Sequence, residues 1–402
     1  MKLSKLHIDQ FRHLENLDFD FTYPADFHDE SKRGKALDKI CFIGQSATGK
    51  TGLLELIREE SFFGIKKPNT INFLSFYIKD ILYNSNEISI AEFAKNLNES
   101  FIKLIYFPSE LNINSLIKIF EKNYATIFND KNKKSQIEKN IEKFLTQKDI
   151  VIDGNIEVLW DYILFDLQDY SERLKQLGNM ISTETNPENI SKILENWKNE
   201  NPNPYTELAE VCLNPILKRL NLELSSALEK NKLISIKSLT TSDAVGTNGF
   251  STGTKQLLLT ALPLYKLDTK EAIILIDEPE RSLYPDMQMD LMEYYQNLAP
   301  EAQFIVATHS PFIAAAFEPE ERFILYFDEN GKVAVRRGTS PIGDDPNDML
   351  YNDFGIDYIN KFGKEVHKEY LDLKQKIFFE KDESEKQKIA EKLEKIGDQY
   401  NF

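Results

Sequence analysis

Gly44-Gln45-Ser46-Ala47-Thr48-Gly49-Lys50-Thr51 is a glycine-bracketed loop that closes on a lysine and a hydroxyl. Those residue types at that spacing can hold a polyphosphate. Backbone N–H groups of such a loop, and of a helix that follows it, converge on phosphate oxygens. Lys50 adds a point charge within reach of the outer phosphates. The Thr51 hydroxyl is a hard oxygen donor of the kind Mg²⁺ prefers. A second chemical group lies far downstream, where the apolar run Ala272–Ile276 ends in Asp277-Glu278-Pro279. Two adjacent acids at the C-terminal end of a buried parallel strand sit where open α/β sheets bind their ligands. Asp277 would hold the metal shell, and Glu278 would polarise an attacking water as general base.

Elements on either side must position these groups. Ile40-Cys41-Phe42-Ile43 reads as a buried strand, and Gly52–Ile57 has helical spacing, so the loop is framed by strand and helix. Residues 1–60 read as strand, strand, loop-bearing strand and helix, with polar Asp26–Lys35 as a hairpin connection. Between about 111 and 231 the pattern turns helical and charged. Lys131–Leu145 and Tyr170–Leu177 space their apolar residues by three and four, and Asn201-Pro202-Asn203-Pro204 ends one such segment. The heptads are too short and irregular for a long coiled coil, which leaves a compact helical subdomain. Phe323–Phe327 and Val333–Arg336 flank an Asn-Gly turn and predict a hairpin. The acidic turn 341–348 follows, and then a charged helix from about 358 to 399. There Ile389, Leu393 and Ile396 could pack on the chain itself or on another subunit.

The bulk properties bound the partners. A chain of 402 residues accommodates one or two domains with a large core. No apolar stretch approaches the roughly 18 residues that cross a bilayer, and Met1–Leu6 alternates like a strand and not like a leader. Two distant cysteines, Cys41 and Cys212, fit a reduced, cytoplasmic protein. A net charge of −16 makes the whole a poor nonspecific binder of DNA. It fits solubility or a basic protein partner. The run Lys131–Lys134 is either a solvated face or a local contact for nucleic acid. The five histidines are scattered, and no zinc-spaced cluster or nuclease motif accompanies them.

Three more segments carry a family resemblance. Phe250-Ser251-Thr252-Gly253-Thr254-Lys255-Gln256 resembles the L-S-x-G-x-x-Q signature of ABC-type ATPases, with Phe250 in place of leucine. Ser282-Leu283-Tyr284-Pro285-Asp286 resembles their D-loop, and Thr308-His309-Ser310 matches their switch histidine. The order and spacing are those of the family. Leu6–Leu14 looks like the I-x-x-F-R-x-L start of SMC/RecF-like heads. Ile105–Glu110 and the E-P-E-x-S-L-x-P run are similar to stand-alone AAA-type ABC ATPases of bacterial defence. Those include subunits of Septu, retron-associated and PARIS-type systems and the ATPase half of OLD-family nucleases. The match covers about 1–60, 100–110 and 232–360. It departs at Ser46-Ala47, where many relatives carry Asn-Gly, and no glutamine can be assigned to a Q-loop.

The resemblance implies an α/β fold, a two-lobed ABC head (P-loop NTPase) with a helical insertion. The expected divisions are 1–110, 111–231, 232–340 and a C-terminal extension, 341–402. It implies ATP and Mg²⁺ as cofactors. The nucleotide would be held by Gly44, Gln45, Ser46, Ala47, Thr48, Gly49, Lys50, Thr51 and Gly52, and the metal by Thr51 and Asp277. Lys50, Glu278 and His309 would be catalytic. Ser251, Gly253 and Lys255 would complete the site from a second protomer in a head-to-head dimer. The expected partners are a second copy or a higher oligomer and a separate effector such as a nuclease, with nucleic acid a further candidate and no membrane. A DNA-repair or DNA-end-binding ATPase and a nucleotide-locked scaffold are the alternatives.

Overall fold

The apolar runs around the two motifs form the middle of one sheet. In the computed structural model, which describes residues 2–63, 73–78, 81–84, 103–111, 131–153, 156–225, 235–356 and 363–400, β3 (Lys39–Gly44), β11 (Gln303–Ala307) and β10 (Ile273–Asp277) lie parallel and adjacent. Ile40, Phe42, Ile273, Leu275 and Ile305 are fully buried. Strands covered on both faces need such unbroken hydrophobic runs. β6 (Leu104–Phe107) and β7 (Asp149–Val151) continue the parallel set on one side, and β12 (Arg322–Phe327) on the other. β13 (Val333–Arg337) closes that side antiparallel to β12, as the Asn-Gly turn predicts. The seven-stranded order is β13-β12-β3-β11-β10-β6-β7.

A second, four-stranded sheet has the order β2-β1-β4-β5. Its strands are β1 (Lys2–Phe11), β2 (Leu14–Asp20), β4 (Phe73–Ile78) and β5 (Ile81–Asn84), all antiparallel. Leu3, Leu6 and Ile8 are all buried although Leu3 is out of phase with the other two. A register shift between Leu3 and Lys5 absorbs the difference, as a bulge does. The core lies where this sheet meets the first. Phe21 and Phe323 meet edge to face at 5.0 Å, and Phe19 and Phe42 at 5.7 Å. Leu53 and Ile57 of α1 (Lys50–Phe63) join the same core. The packing fixes both ends of the phosphate loop, β3 before it and α1 after it.

Three sequence expectations are modified. The Asp26–Lys35 link does not join neighbouring strands, since β2 and β3 belong to different sheets. It closes locally through an antiparallel bridge of Thr22 and Ala36, backed by Leu37 N–H on Phe21 O at 2.8 Å. The stretch 111–231 does contain long helices: α2 (Lys131–Leu145), α3 (Ile156–Thr183) and α4 (Pro187–Glu200). It is nevertheless woven into the head, because β7 between α2 and α3 is a strand of the main sheet. Arg58 of α1 grips Asp149 of β7 with two bonds, at 2.9 and 2.7 Å. Beyond this stretch, α5 (Thr252–Lys266) packs against α3, where Lys266 pairs with Asp166.

The third change concerns the tail. Residues 344–402 form a compact unit of their own. The expected single helix is two, α6 (Lys364–Phe379) and α7 (Glu383–Tyr400), packed on each other. The break falls at Glu380-Lys381-Asp382, where Asp382 Oδ1 accepts the Ser384 and Glu385 N–H groups at 2.9 and 3.2 Å. Among the described residues, no helix is long and apolar enough to cross a membrane.

Candidate functional site

The phosphate loop is shaped by close backbone approaches. Gly44 has φ +151°, and a Cβ there would lie 2.2 Å from the Leu325 carbonyl of β12, so the position accepts glycine alone. Ala47 has φ +66°. The loop thus makes a left-handed turn at an alanine, at a cost of about 1 kcal/mol for the methyl group. Thr48 is buried and donates its hydroxyl to Gln45 O at 2.8 Å. Gln45, Ser46 and Gly49 complete the loop, and Gly52 lies in the first turn of α1.

Lys50 is folded back into this loop. Its Nζ donates to Gly44 O at 3.0 Å and to Gln45 O at 2.9 Å. Burial pulls its pKa down to about 8, against the opposing charges of Asp277, Glu278 and Glu280. The Thr51 hydroxyl donates to Asp277 Oδ2 at 2.9 Å. Two hard oxygen donors therefore stand side by side, which fits Mg²⁺, an ion that takes one or two protein oxygens and keeps its waters. Among the described residues, no group of three or more His, Cys, Asp or Glu side chains is placed to hold a metal ion.

Asp277 is buried. Burial raises its carboxyl pKa to about 6, with Glu278 adding to the rise and the Thr51 bond and Lys50 opposing it. A carboxyl with a raised pKa holds its proton more tightly when folded. Its contribution to stability therefore falls as pH rises from the unfolded value, near 4, through about 6. Asp277→Asn should stabilise the nucleotide-free chain at pH 7.5 by on the order of 1–3 kcal/mol, and the gain should shrink at pH 4.5. Thermal melts at both pH values check this, and an equal gain at both would refute it.

Glu278 follows with φ +50°, a left-handed conformation unusual for a non-glycine residue and often found at functional sites. Its N–H donates to Ala307 O at 2.8 Å. That bond ties the end of β10 to the end of β11. His309 lies just past β11, with Nε2 3.9 Å from Glu278 Oε1. Burial lowers its pKa, the Lys50 charge lowers it further, and Glu278 opposes both. The shift favours the neutral imidazole.

One cavity of about 600 Å³ joins these groups. Lys50, Thr51, Gly52, Asp277, Glu278 and His309 line it, with Ala47 and Gly49 of the loop. Sequence reasoning assigned no role to the rest of the lining. Phe11, Arg12, His13 and Leu14 come from the β1–β2 turn, and Phe327, Gly331 and Val333 from the β12–β13 hairpin. The F-R-x-L start was the available signal for the first wall. Arg12 pairs with Glu55 of α1 at 2.6 Å and stacks over Phe11 at 4.9 Å. The second wall comes from a turn whose residues carry no chemical motif.

The structure does not bring Ser251, Gly253 and Lys255 to that cavity; none of them lines it. Ser251 caps α5, its Oγ accepting the Thr254 N–H at 3.0 Å. Gly253 is buried against the Ser282 loop, where a Cβ would lie 2.4 Å from Ser282 O. The N-terminus of α5 therefore rests on the loop that follows Glu278.

Residues 218–315 match the family model described as "AAA domain, putative AbiEii toxin, Type IV TA system". That region holds Ser251, Asp277, Glu278 and His309. A stretch of 72 residues is 36% identical to the Septu protein PtuA of Bacillus thuringiensis. It covers 18% of this chain and 18% of that relative, less than a fifth of either length. Among solved structures, the chain is similar to an Smc head domain with an extended coiled coil bound to the C-terminal domain of ScpA, derived from Pyrococcus furiosus. The identity there is 13%, the coverage 84% of this chain and 96% of that chain, and the TM-score 0.40. The SMC head domain of Thermotoga maritima gives 12%, 84%, 100% and 0.40. The family model and the Septu relative thus each match a part of the chain.

Proposed function

We propose that this chain binds ATP and Mg²⁺, hydrolyses ATP between two head-to-head copies, and thereby controls a separate effector protein in anti-phage defence. The observation that carries the reading is the convergence on one cavity of Lys50, Thr51, Asp277, Glu278 and His309. These come from β3–α1, the end of β10 and the end of β11. Loop N–H groups and Lys50 would bind the β and γ phosphates. Thr51 and Asp277 would hold Mg²⁺, which would draw charge from the phosphate oxygens. Glu278 would accept the proton of the attacking water. His309, beside it, would hold the γ-phosphate end in place.

The signature residues support the shared site. Ser251 and Gly253 stand at a helix N-terminus, which favours an anion, yet they lie outside their own cavity. A second copy facing the first would bring its Ser251, Gly253 and Lys255 to the open γ-phosphate side. Nucleotide would then join the two copies, and hydrolysis would release them. The effector, a nuclease in this reading, would be carried by another chain, because the sequence holds no nuclease motif.

Ser251→Arg tests the shared site. The variant should bind ATP normally and hydrolyse none alone, because its bulk and charge block the partner's γ-phosphate. Mixing it with Lys50→Ala creates heterodimers with one intact composite site, and phosphate release should return in part. Full activity of Ser251→Arg by itself would refute the arrangement.

A further inference from the structure

The loop after Glu278 and the loop carrying His309 are joined twice by side chains. Glu280 makes the first tie: its Oε1 accepts the His309 backbone N–H at 2.8 Å. The Glu280 side chain is buried, and that burial raises its pKa. Gln288 makes the second tie. Its Nε2 donates to Leu283 O at 2.8 Å, and its Oε1 accepts the Ser310 hydroxyl at 2.6 Å. Glu280 sits between two left-handed non-glycine residues, Glu278 at φ +50° and Ser282 at φ +63°. That path turns the chain sharply enough to aim the Glu280 side chain back at the neighbouring strand end.

The His309 ring lies at the cavity wall and reaches Glu278 only at 3.9 Å. Its place is set from the backbone side. We propose that Glu280 is a positioning residue for ATP turnover, its carboxylate holding the His309 backbone so that the imidazole stays beside Glu278 at the mouth of the phosphate site. The proposal rests on the reading of the cavity as a site of ATP hydrolysis. Phosphate binding by the loop and Lys50 does not pass through Glu280. Losing Glu280 therefore affects turnover and spares affinity.

The test uses the full chain with Glu280→Ala, Glu280→Gln and, as comparator, Gln288→Ala. Steady-state phosphate release gives kcat and KM, and calorimetry gives the ATP affinity. Glu280→Ala should lower kcat by about 10- to 100-fold, the scale of a catalytic group displaced by about 1 Å. Its KM and ATP affinity should stay within about twofold. Glu280→Gln keeps an oxygen that can accept the His309 N–H, so it should recover to within about threefold of wild type. Gln288→Ala loosens the same two loops without touching His309 N–H and should cost less than Glu280→Ala. Wild-type kcat in Glu280→Ala would overturn the proposal, as would a parallel loss of ATP binding or a Glu280→Gln variant as slow as the alanine. Wild-type protein that binds ATP and releases no phosphate would instead overturn the underlying ATPase reading, so the two failures are distinguishable.

Discussion

Lys50→Ala is expected to abolish measurable ATP binding while leaving the fold intact. The ammonium sits inside the phosphate loop, held by Gly44 O and Gln45 O. Those neutral carbonyls would give way to phosphate oxygens, and a charged hydrogen bond is worth about 1.5–3 kcal/mol each. Losing two such bonds and the charge itself should weaken binding by on the order of 10²–10⁴. The fold should survive because burial already holds the Lys50 pKa down, near 8. The folded chain binds this proton less tightly than the unfolded one, so a charged Lys50 is a stability cost below about pH 8 that alanine removes. The same shift gives binding a pH dependence. Phosphate favours the charged amine, so above pH 8 binding takes up a proton and affinity falls, by up to about tenfold per pH unit. Calorimetry on both proteins from pH 7 to 9.5, with a thermal melt as control, checks both claims. Unchanged affinity in the variant would sink the phosphate-loop assignment.

Glu278→Gln should keep ATP binding and lose turnover. The amide is nearly isosteric with the carboxylate but cannot take the proton of the attacking water. Removing one general base costs on the order of 10²–10⁴ in rate. The left-handed backbone at this position is no harder for glutamine than for glutamate, so the local path should persist. ATP-bound dimers should then accumulate, which size-exclusion chromatography with ATP and Mg²⁺ would resolve. Hydrolysis at the wild-type rate would show that another group is the base.

Much of this site was legible because its chemistry needs contiguous residues. Gly44 through Thr51 must be one loop, and Asp277-Glu278 must end one strand. What escaped was tertiary. Glu280 and His309 are 29 positions apart and meet only because β10 and β11 are neighbours. The Phe327–Gly331 wall is a plain hairpin until the fold brings it to the cavity that Arg12 also lines. β7 escaped because three residues show no periodicity, and only Ile150 among them is fully buried. The break in the C-terminal helix was readable: Asp382 followed by Glu385 has the spacing of a helix start. The unbroken run of charged helix formers hid it.

The two rims of the main sheet have a consequence for how copies of this chain can gather. At one rim β7 is three residues long, and its Asp149 is held by Arg58. At the other, β13 ends in Arg336 and Arg337, and Arg337 is folded back onto the carbonyls of Asp20 and Glu320. Short rims with fixed charges are poor templates for an incoming strand. Joining unlike rims head to tail would propagate without limit, as fibres do. Under the proposed cycle of pairing and release, the chain is safer when its strands cannot zip together. Self-recognition is then left to loops and helix ends, whose pairing closes on itself and stops.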